Sequence, residues 1–355
     1  MQDKRPCSPG LRAGLVLLPV LLMTLAGCSD LAVALGLRMR LDRVPVTSIS
    51  ASLVGRGSPA AIPALAPGAS ARLVVVATTS DGRQLVTAGA GHGRVLLDSF
   101  VLTSDLVQFG KGGKVSLPAD PRVSDGKVAS IHIATVGHTD VVTDLDVAVR
   151  YDVAFVANYS GVGGMKGLDG TNGLDGSSGF DAAPSMPDST TGMPGPAGQG
   201  GDGGNGGNGS DGGAGGDGSP GATVHVWLRL KPGTDHVLQA KVSGNARDSY
   251  YLVDGQGGSL TVTADGGAGG AGGSGGRAGR GGSGGLGQPS GMTGMDGLAG
   301  SNGHPGRDGA AGTISVSVDP SAQPFMRILK LSNHSGAGRP GPAPTVVVEP
   351  VPPLW

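Results

Sequence analysis

The sequence predicts a mainly β protein in which an antiparallel β-sandwich precedes a glycine-rich region of polyproline II or polyglycine II type with interleaved strands. Short β-branched runs separated by turn residues fill residues 46–158. Glycine then recurs at every third position in tracts between residues 159 and 355. The one long apolar run has the length of a signal peptide, so almost no helix is expected outside it.

Composition limits the functions that the chain can have. Glycine accounts for 70 of the 355 residues, a strong excess over the usual share of about 7%. The net charge is −1, so no basic surface for nucleic acid is expected. The two cysteines, Cys7 and Cys28, are too few for a disulfide framework.

The first 27 residues predict a signal peptide. A basic start is followed by the apolar run 13–24, which is too short to cross a bilayer as a helix. The residues Leu25-Ala26-Gly27-Cys28 then resemble the lipobox of bacterial lipoproteins. An ordinary secretory signal with an incidental cysteine is the alternative.

The lipobox resemblance implies an address and a partner. In bacterial lipoproteins the segment before the cysteine is removed and the cysteine is acylated, which would anchor this chain to a membrane through the lipid on Cys28. Ser29 after the cysteine implies the outer membrane in envelopes with two membranes, although Asp30 follows one place later. Residues 28–45 are expected to form a tether.

Residues 46–158 predict one β domain. Its turn signals are Ala66-Pro67-Gly68, Asp81-Gly82 and Asp125-Gly126. The expected strands are 46–54, 71–79, 84–89, 129–136 and 145–156. The run LAPGASARLVVVATTSDGRQLVT resembles the immunoglobulin-like repeats of bacterial surface adhesins and intimin-like proteins, which implies an immunoglobulin-like sandwich.

Residues 159–355 predict a glycine-rich domain with strands between four tracts, 161–181, 192–221, 266–287 and 291–312. The first and last tracts, with GMPGPA at 192–197, resemble bacterial collagen-like repeat proteins, in which glycine must occupy every third place. The glycines assigned this structural role are Gly164, Gly167, Gly170, Gly173, Gly176, Gly179, Gly291, Gly294, Gly297, Gly300, Gly303, Gly306, Gly309 and Gly312.

The two middle tracts differ from collagen because glycine often fills two of three positions in 200–221 and 266–287. Such chains can pack side by side through backbone contacts. They resemble the glycine-rich bundles of insect antifreeze proteins, phage adhesin tips and the amino-terminal domain of a bacterial GTPase family. A trimeric collagen-like stalk and a flexible linker remain alternatives.

An internal duplication relates Thr223 to Thr313 at an offset of 90 residues. Tracts 266–287 and 291–312 have equal lengths, about 68 Å each at about 3.1 Å per residue. Folding back between them would place strand 259–264 beside strand 313–318. In the same way, the first two tracts would bring DVAFV beside TVHVWLRL.

No motif predicts catalysis, a cofactor or a metal. Both GGSGG matches lie inside glycine tracts, where the nucleophile elbow's strand and helix are missing. GGNGSD is one imperfect copy of a calcium-binding repeat. The histidines show no metal-ligand spacing, and those on strands, including His225, are expected to face solvent. Solvation is the expected role of Asp169, Asp175, Asp202, Asp211 and Asp217.

The sequence therefore favours a structural or adhesive envelope protein that is not an enzyme. Its expected partners are the membrane, and extracellular matrix, polysaccharide or a second copy of the chain. A carbohydrate-active or calcium-dependent surface protein is the alternative from another class; the former would need paired carboxylates in one cleft.

Overall fold

The structure is a computed structural model that describes residues 32–33, 35–55, 60–187, 189–193 and 195–355. It is mainly β, with few and short helices. Two compact units divide the chain, the first ending at Tyr151 and the second beginning at Asp152. Within the described ranges, no helix is long and apolar enough to span a bilayer.

The strands of the first unit form two sheets. They are β1 (Val46–Val54), β2 (Ala64–Leu65), β3 (Ser70–Thr79), β4 (Gln84–Val86), β5 (Phe100–Thr103), β6 (Gln108–Gly110), β7 (Lys114–Ser116), β8 (Ala129–Thr135) and β9 (His138–Val149). One sheet has the order β1-β3-β7-β6, with β4 on β3, and the other has the order β2-β9-β8-β5. All pairs are antiparallel except β2 with β9.

One hydrophobic core joins these two sheets. Leu73 and Val75 of β3 pack in the same buried cluster as Ile131 and Ile133 of β8 and Val147 of β9. In β8 buried residues alternate with more accessible ones, as expected for a strand with one face on a core. A single helical turn, α1 (Pro121–Ser124), begins where Asp120 accepts a hydrogen bond from the Arg122 N–H.

The expected strand 145–156 is two strands. β9 ends at Val149, and β10 (Ala154–Asn158) begins after a four-residue break. The break is needed because β9 pairs with β8 and β2, whereas β10 pairs with a strand of the second unit. One continuous strand cannot follow both sheets.

The second unit also contains two sheets. Besides β10 its strands are β11 (Thr223–Leu230), β12 (Val237–Gly244), β13 (Arg247–Asp254), β14 (Ser259–Thr263), β15 (Thr313–Val318), β16 (Leu329–Ser332) and β17 (Thr345–Val348). The orders are β10-β14-β16, which is all parallel, and β13-β12-β11-β15-β17, which is mixed. Buried positions alternate along β11, where Val224, Val226 and Leu228 are fully buried.

The structure places the two halves of the duplication side by side. β11 and β15 run parallel, with Thr223 opposite Thr313, so the pairing offset equals the sequence offset of 90 residues. β10 and β14 are also parallel and pair Ala154 with Ser259.

The expectation that β14 lies beside β15 was wrong. β14 pairs with β10 and β16, and β15 pairs with β11 and β17, in two different sheets. The expected pairing of DVAFV with TVHVWLRL was wrong for the same reason. The strands instead follow the parallel alignment of the glycine tracts attached to them.

Candidate functional site

Four glycine-rich segments of the second unit lie against one another. Arm 1 (161–181) follows β10, arm 2 (200–221) precedes β11, arm 3 (266–287) follows β14, and arm 4 (291–312) precedes β15. The four arms together are called the glycine bundle below. They form neither β-strands nor α-helices, so the hydrogen bonds between arms define their structure.

Consecutive arms run antiparallel and share one N–H···O=C bond per triplet. Representative bonds between arms 1 and 2, arms 2 and 3, and arms 3 and 4 are Gly204 N to Ser177 O (2.7 Å), Gly270 N to Gly216 O (2.8 Å) and Gly294 N to Gly282 O (2.9 Å). Arm 3 thus folds back into arm 4 at residues 288–290, as the equal tract lengths predict.

Alternate arms run parallel. The Gly164 N–H of arm 1 donates to the Ala268 carbonyl of arm 3, and the Gly206 N–H of arm 2 donates to the Met295 carbonyl of arm 4, both at 2.8 Å. Among the described residues, arms 2 and 3 bond to all three other arms, whereas arms 1 and 4 bond to arms 2 and 3 but not to each other. Arms 2 and 3 are therefore central, and arms 1 and 4 are outer.

Within arm 3, the triplet 275–277 shows how completely backbone groups are satisfied. In chain order its N–H groups donate to Asn302 Oδ1 of arm 4 (2.9 Å), Ser210 O of arm 2 (2.8 Å) and Asn172 Oδ1 of arm 1 (2.9 Å). Three amides of one turn thus reach three different arms. Because unmade backbone hydrogen bonds are costly, this pattern stabilises the bundle without an apolar core.

The outer-arm glycines predicted from the sequence face the central arms. They run from Gly164 to Gly179 in arm 1 and from Gly291 to Gly312 in arm 4. A Cβ atom at any of these fourteen positions would lie 1.9–2.1 Å from a backbone carbonyl oxygen of a neighbouring segment. Since no side chain fits at that distance, glycine is a steric requirement there.

Arm 3 has two glycines in most of its triplets because it lies between two outer arms, and Ala278 replaces one of them. A Cβ at Gly269 would lie 2.2 Å from the Gly306 carbonyl oxygen of arm 4. At the next residue, Gly270, it would lie 2.0 Å from the Met165 carbonyl oxygen of arm 1. The doubled glycines therefore follow from the central place of the arm.

The two rows of glycines along arm 2 differ in the space available for a side chain. A Cβ at Gly206 would lie 2.2 Å from the Gly279 carbonyl oxygen of arm 3. At Gly207 the nearest atom, the Leu174 nitrogen of arm 1, is 3.1 Å away. Serine replaces glycine in this second row at residues 210 and 219, which fits the larger space.

Aspartate side chains at the third triplet position bond to neighbouring arms, so the prediction that they only solvate the bundle was wrong. Asp169, Asp175, Asp202, Asp211 and Asp217 accept from the backbone N–H groups of Ser274, Arg280, Met292, Ser301 and Arg307, at 2.7–2.8 Å. Asn172, Asn205 and Asn208 do the same at 2.8–2.9 Å. Charged Asp and neutral Asn side chains both accept these bonds, so the feature that matters is the Oδ1 acceptor rather than the charge.

Two of these carboxylates have lowered pKa values. The Lys166 ammonium and then the Ser274 N–H hold the pKa of Asp169 below its ordinary value. The Ser301 hydroxyl and then the Ser301 N–H lower the pKa of Asp211. In each case these donors stabilise the ionised carboxylate, which accepts hydrogen bonds better than the protonated acid.

The second-position side chains of arm 1 face solvent and are called the arm-1 ridge. They are Val162, Met165, Leu168, Thr171, Leu174, Ser177 and Phe180. Its five apolar members are 75–89% exposed. Sequence reasoning missed this ridge, although the recurrence of apolar residues directly after glycine in 161–181 was a readable signal.

His225 lies half-buried on β11 rather than simply facing solvent. Its Nδ1 lies 2.7 Å from Ser315 Oγ and its Nε2 lies 3.0 Å from Ser317 Oγ. Burial lowers the pKa of His225, and the negative charge of Glu349 opposes that effect. The arrangement links β11 to β15 and favours a neutral imidazole.

Within the described ranges, no group of three or more His, Cys, Asp or Glu side chains is placed to hold a metal ion. Cys28, the predicted lipid attachment site, and the predicted signal peptide lie outside the described residues. Comparison with protein-family models, with curated proteins and with solved structures gave no match.

Proposed function

We propose that this chain is a lipid-anchored envelope protein in which a rigid, polyglycine-II-type bundle serves as a structural or adhesive display surface. The hydrogen bonding between arms carries this proposal. Because backbone amides and Asp or Asn side chains bond between the arms, the second-position side chains of arm 1 are left to face solvent. A folded bundle would hold them at fixed spacing.

The polyglycine II assignment of the arms rests on their period. One backbone hydrogen bond per triplet to each neighbour and at least one inward glycine per triplet suit an extended helix with three residues per turn. The same observations favour the single-chain bundle over a trimeric collagen-like stalk. Other arms of the same chain already pack against the outer-arm glycines. Two further chains therefore cannot pack against them as in a collagen triple helix.

The immunoglobulin-like assignment of the first unit is part of the proposal. Two mainly antiparallel sheets around one core support it. Such a domain would act as a spacer or a second binding module. No catalytic role is proposed for either unit.

Membrane anchoring is tested by the fate of Cys28 in a bacterial host with two membranes. The proposal predicts that the mature protein begins at Cys28, carries acyl chains by mass spectrometry, and fractionates with the outer membrane. The Cys28→Ala variant should carry no lipid and lose the outer membrane. An unlipidated wild-type protein, or one cleaved elsewhere, would contradict the anchor.

A further inference from the structure

The arm-1 ridge exposes a row of large apolar side chains to solvent. Met165, Leu168, Leu174 and Phe180 are each at least 76% exposed, and they recur at multiples of three residues. In a helix of three residues per turn these side chains align on one face, with Met165 and Leu168 about 9 Å apart and Leu174 and Phe180 each about 19 Å further along. Large exposed apolar patches mark interaction surfaces, and this row is interrupted only by the small polar residues Thr171 and Ser177.

The order of side chains along the ridge is nearly palindromic about Thr171. Leu168 and Leu174 lie one triplet to either side of it. At the two ends stand Val162 and Phe180. The symmetry is one of polarity: Leu168 and Leu174 are identical, Val162 and Phe180 are both apolar, whereas Met165 faces the polar Ser177.

We propose that the arm-1 ridge binds a second copy of this chain in an antiparallel, two-fold contact centred on Thr171. This inference deepens the proposed display role of the arms and rests on the bundle being folded. A two-fold interface requires a surface that is complementary to itself. In this arrangement Leu168 of each copy meets Leu174 of the other, and Val162 meets Phe180.

The area of the ridge suits a reversible dimer. Fully burying a large apolar side chain removes roughly 60–120 Å² of apolar surface from water, at about 25 cal/mol per Å². Five such side chains give roughly 300–600 Å² per copy. Two copies together then bury roughly 600–1,200 Å², the size of weak and transient interfaces, so a reversible dimer with a dissociation constant in the micromolar range or above is expected.

The corresponding face of arm 4 is a poorer partner for the ridge. Met292, Met295 and Leu298 are 73–76% exposed there. The next second-position residues are Ser301, His304 and Arg307. A contact between arm 1 of one copy and arm 4 of another would leave half of the ridge against polar side chains. The isologous contact buries more apolar surface.

Charges beside the ridge predict how salt affects the contact. Three aspartates outnumber Lys166 in the third positions of arm 1, but Arg277 and Arg280 of arm 3, whose backbone N–H groups bond to those positions, balance the charge (+3 − 3). Since each copy carries little net charge beside the ridge, the dimer should depend only weakly on salt.

Sedimentation velocity of the chain from Ala32 onward tests the proposal. The expected result is a monomer at about 1 µM and a dimer at about 100 µM, the range of a weak interface. The double substitution L168D/L174D should remain monomeric, with an unchanged melting temperature because both leucines are exposed. The matched control L298D, on arm 4, should dimerise like the parent.

A cysteine at the two-fold axis gives an independent readout, because the chain from Ala32 has no other cysteine. Thr171→Cys should form a symmetric disulfide dimer under mild oxidation, and Ser301→Cys should not. A parent chain that stays monomeric at every concentration, or a dimer that survives L168D/L174D, overturns the inference. If the arm amides are protected from hydrogen exchange in that monomer, the bundle stands and only the dimer fails. Unprotected arms would overturn the proposed function as well.

Discussion

Single glycines decide which arms can approach each other, because a methyl group at an inward position would overlap a carbonyl oxygen. The requirement differs between adjacent residues of one triplet. Gly206 and Gly207 are chemically identical, yet a methyl group added to each would meet a neighbouring atom at 2.2 Å and 3.1 Å, respectively. The place of a residue in the bundle, rather than the backbone flexibility of glycine, therefore explains why some positions admit only glycine.

Substituting these two glycines tests the steric account. Gly206→Ala should destabilise the bundle by about 1–3 kcal/mol, the usual range for overpacking. Gly207→Ala should change stability by less than about 1 kcal/mol, because relief of unfolded-chain entropy offsets a small shift of the neighbour. Urea denaturation followed by circular dichroism measures both. Equal effects of the two substitutions would contradict the account.

At the scale of elements, each arm's composition reflects its number of neighbours. Most triplets of the central arms have two glycines, whereas the outer arms have one glycine per triplet and mostly exposed side chains at the second position. Asp and Asn at the third position supply acceptors for amides that backbone carbonyls do not reach. The parallel alignment of arms then continues into strands, which pairs β11 with β15.

The acceptor role of the third position is testable at Asp211. Its Oδ1 accepts from both the N–H and the hydroxyl of Ser301, each at 2.7 Å. Asp211→Ala should speed hydrogen exchange of the Ser301 amide by roughly threefold to tenfold, the effect of one lost hydrogen bond. Asp211→Asn keeps the acceptor and should leave the rate nearly unchanged. Fast exchange in both variants would assign the role to charge instead.

Acid should destabilise the bundle. The pKa values of Asp169 and Asp211 are lowered in the folded chain, so the unfolded chain binds protons first as pH falls. The stability that these groups contribute is complete above the ordinary aspartate pKa of about 4 and is lost below it. Melting temperatures between pH 6 and pH 3 measure the loss. The variant D169N/D211N should show a smaller acid effect, and an unchanged pH dependence would contradict this prediction.

Over the whole molecule, two kinds of interaction stabilise the fold: apolar cores between strands, and hydrogen bonds between glycine-rich arms. The first unit buries an apolar core between two sheets. The second unit has its own apolar core between strands, and beyond it the glycine bundle relies on hydrogen bonds between arms. The buried Tyr159, between β10 and arm 1, donates to the Val242 carbonyl at 2.9 Å and so ties an arm to the strand core.

Local patterns predicted much of this fold. β1 matches its expected bounds, 46–54, because a partly alternating run rich in β-branched residues lies between Pro45 and Gly55. The inward glycines were readable because their steric rule is local. The partner sheets of β14 and β15 were not readable, because arms 1 and 2 set that alignment from about 100 residues away. The Asp and Asn acceptors were missed because their partners lie on other arms.

Hydrogen exchange measured by mass spectrometry on the chain from Ala32, at two protein concentrations, shows whether the four arms fold into one intramolecular bundle. A folded bundle predicts slow exchange in peptides from all four arms, equal at both concentrations, relative to the same peptides in denaturant. Arms that exchange as fast as the denatured chain would contradict the bundle and leave a flexible spacer. Protection that appears only at the higher concentration would replace it with an assembly of several chains.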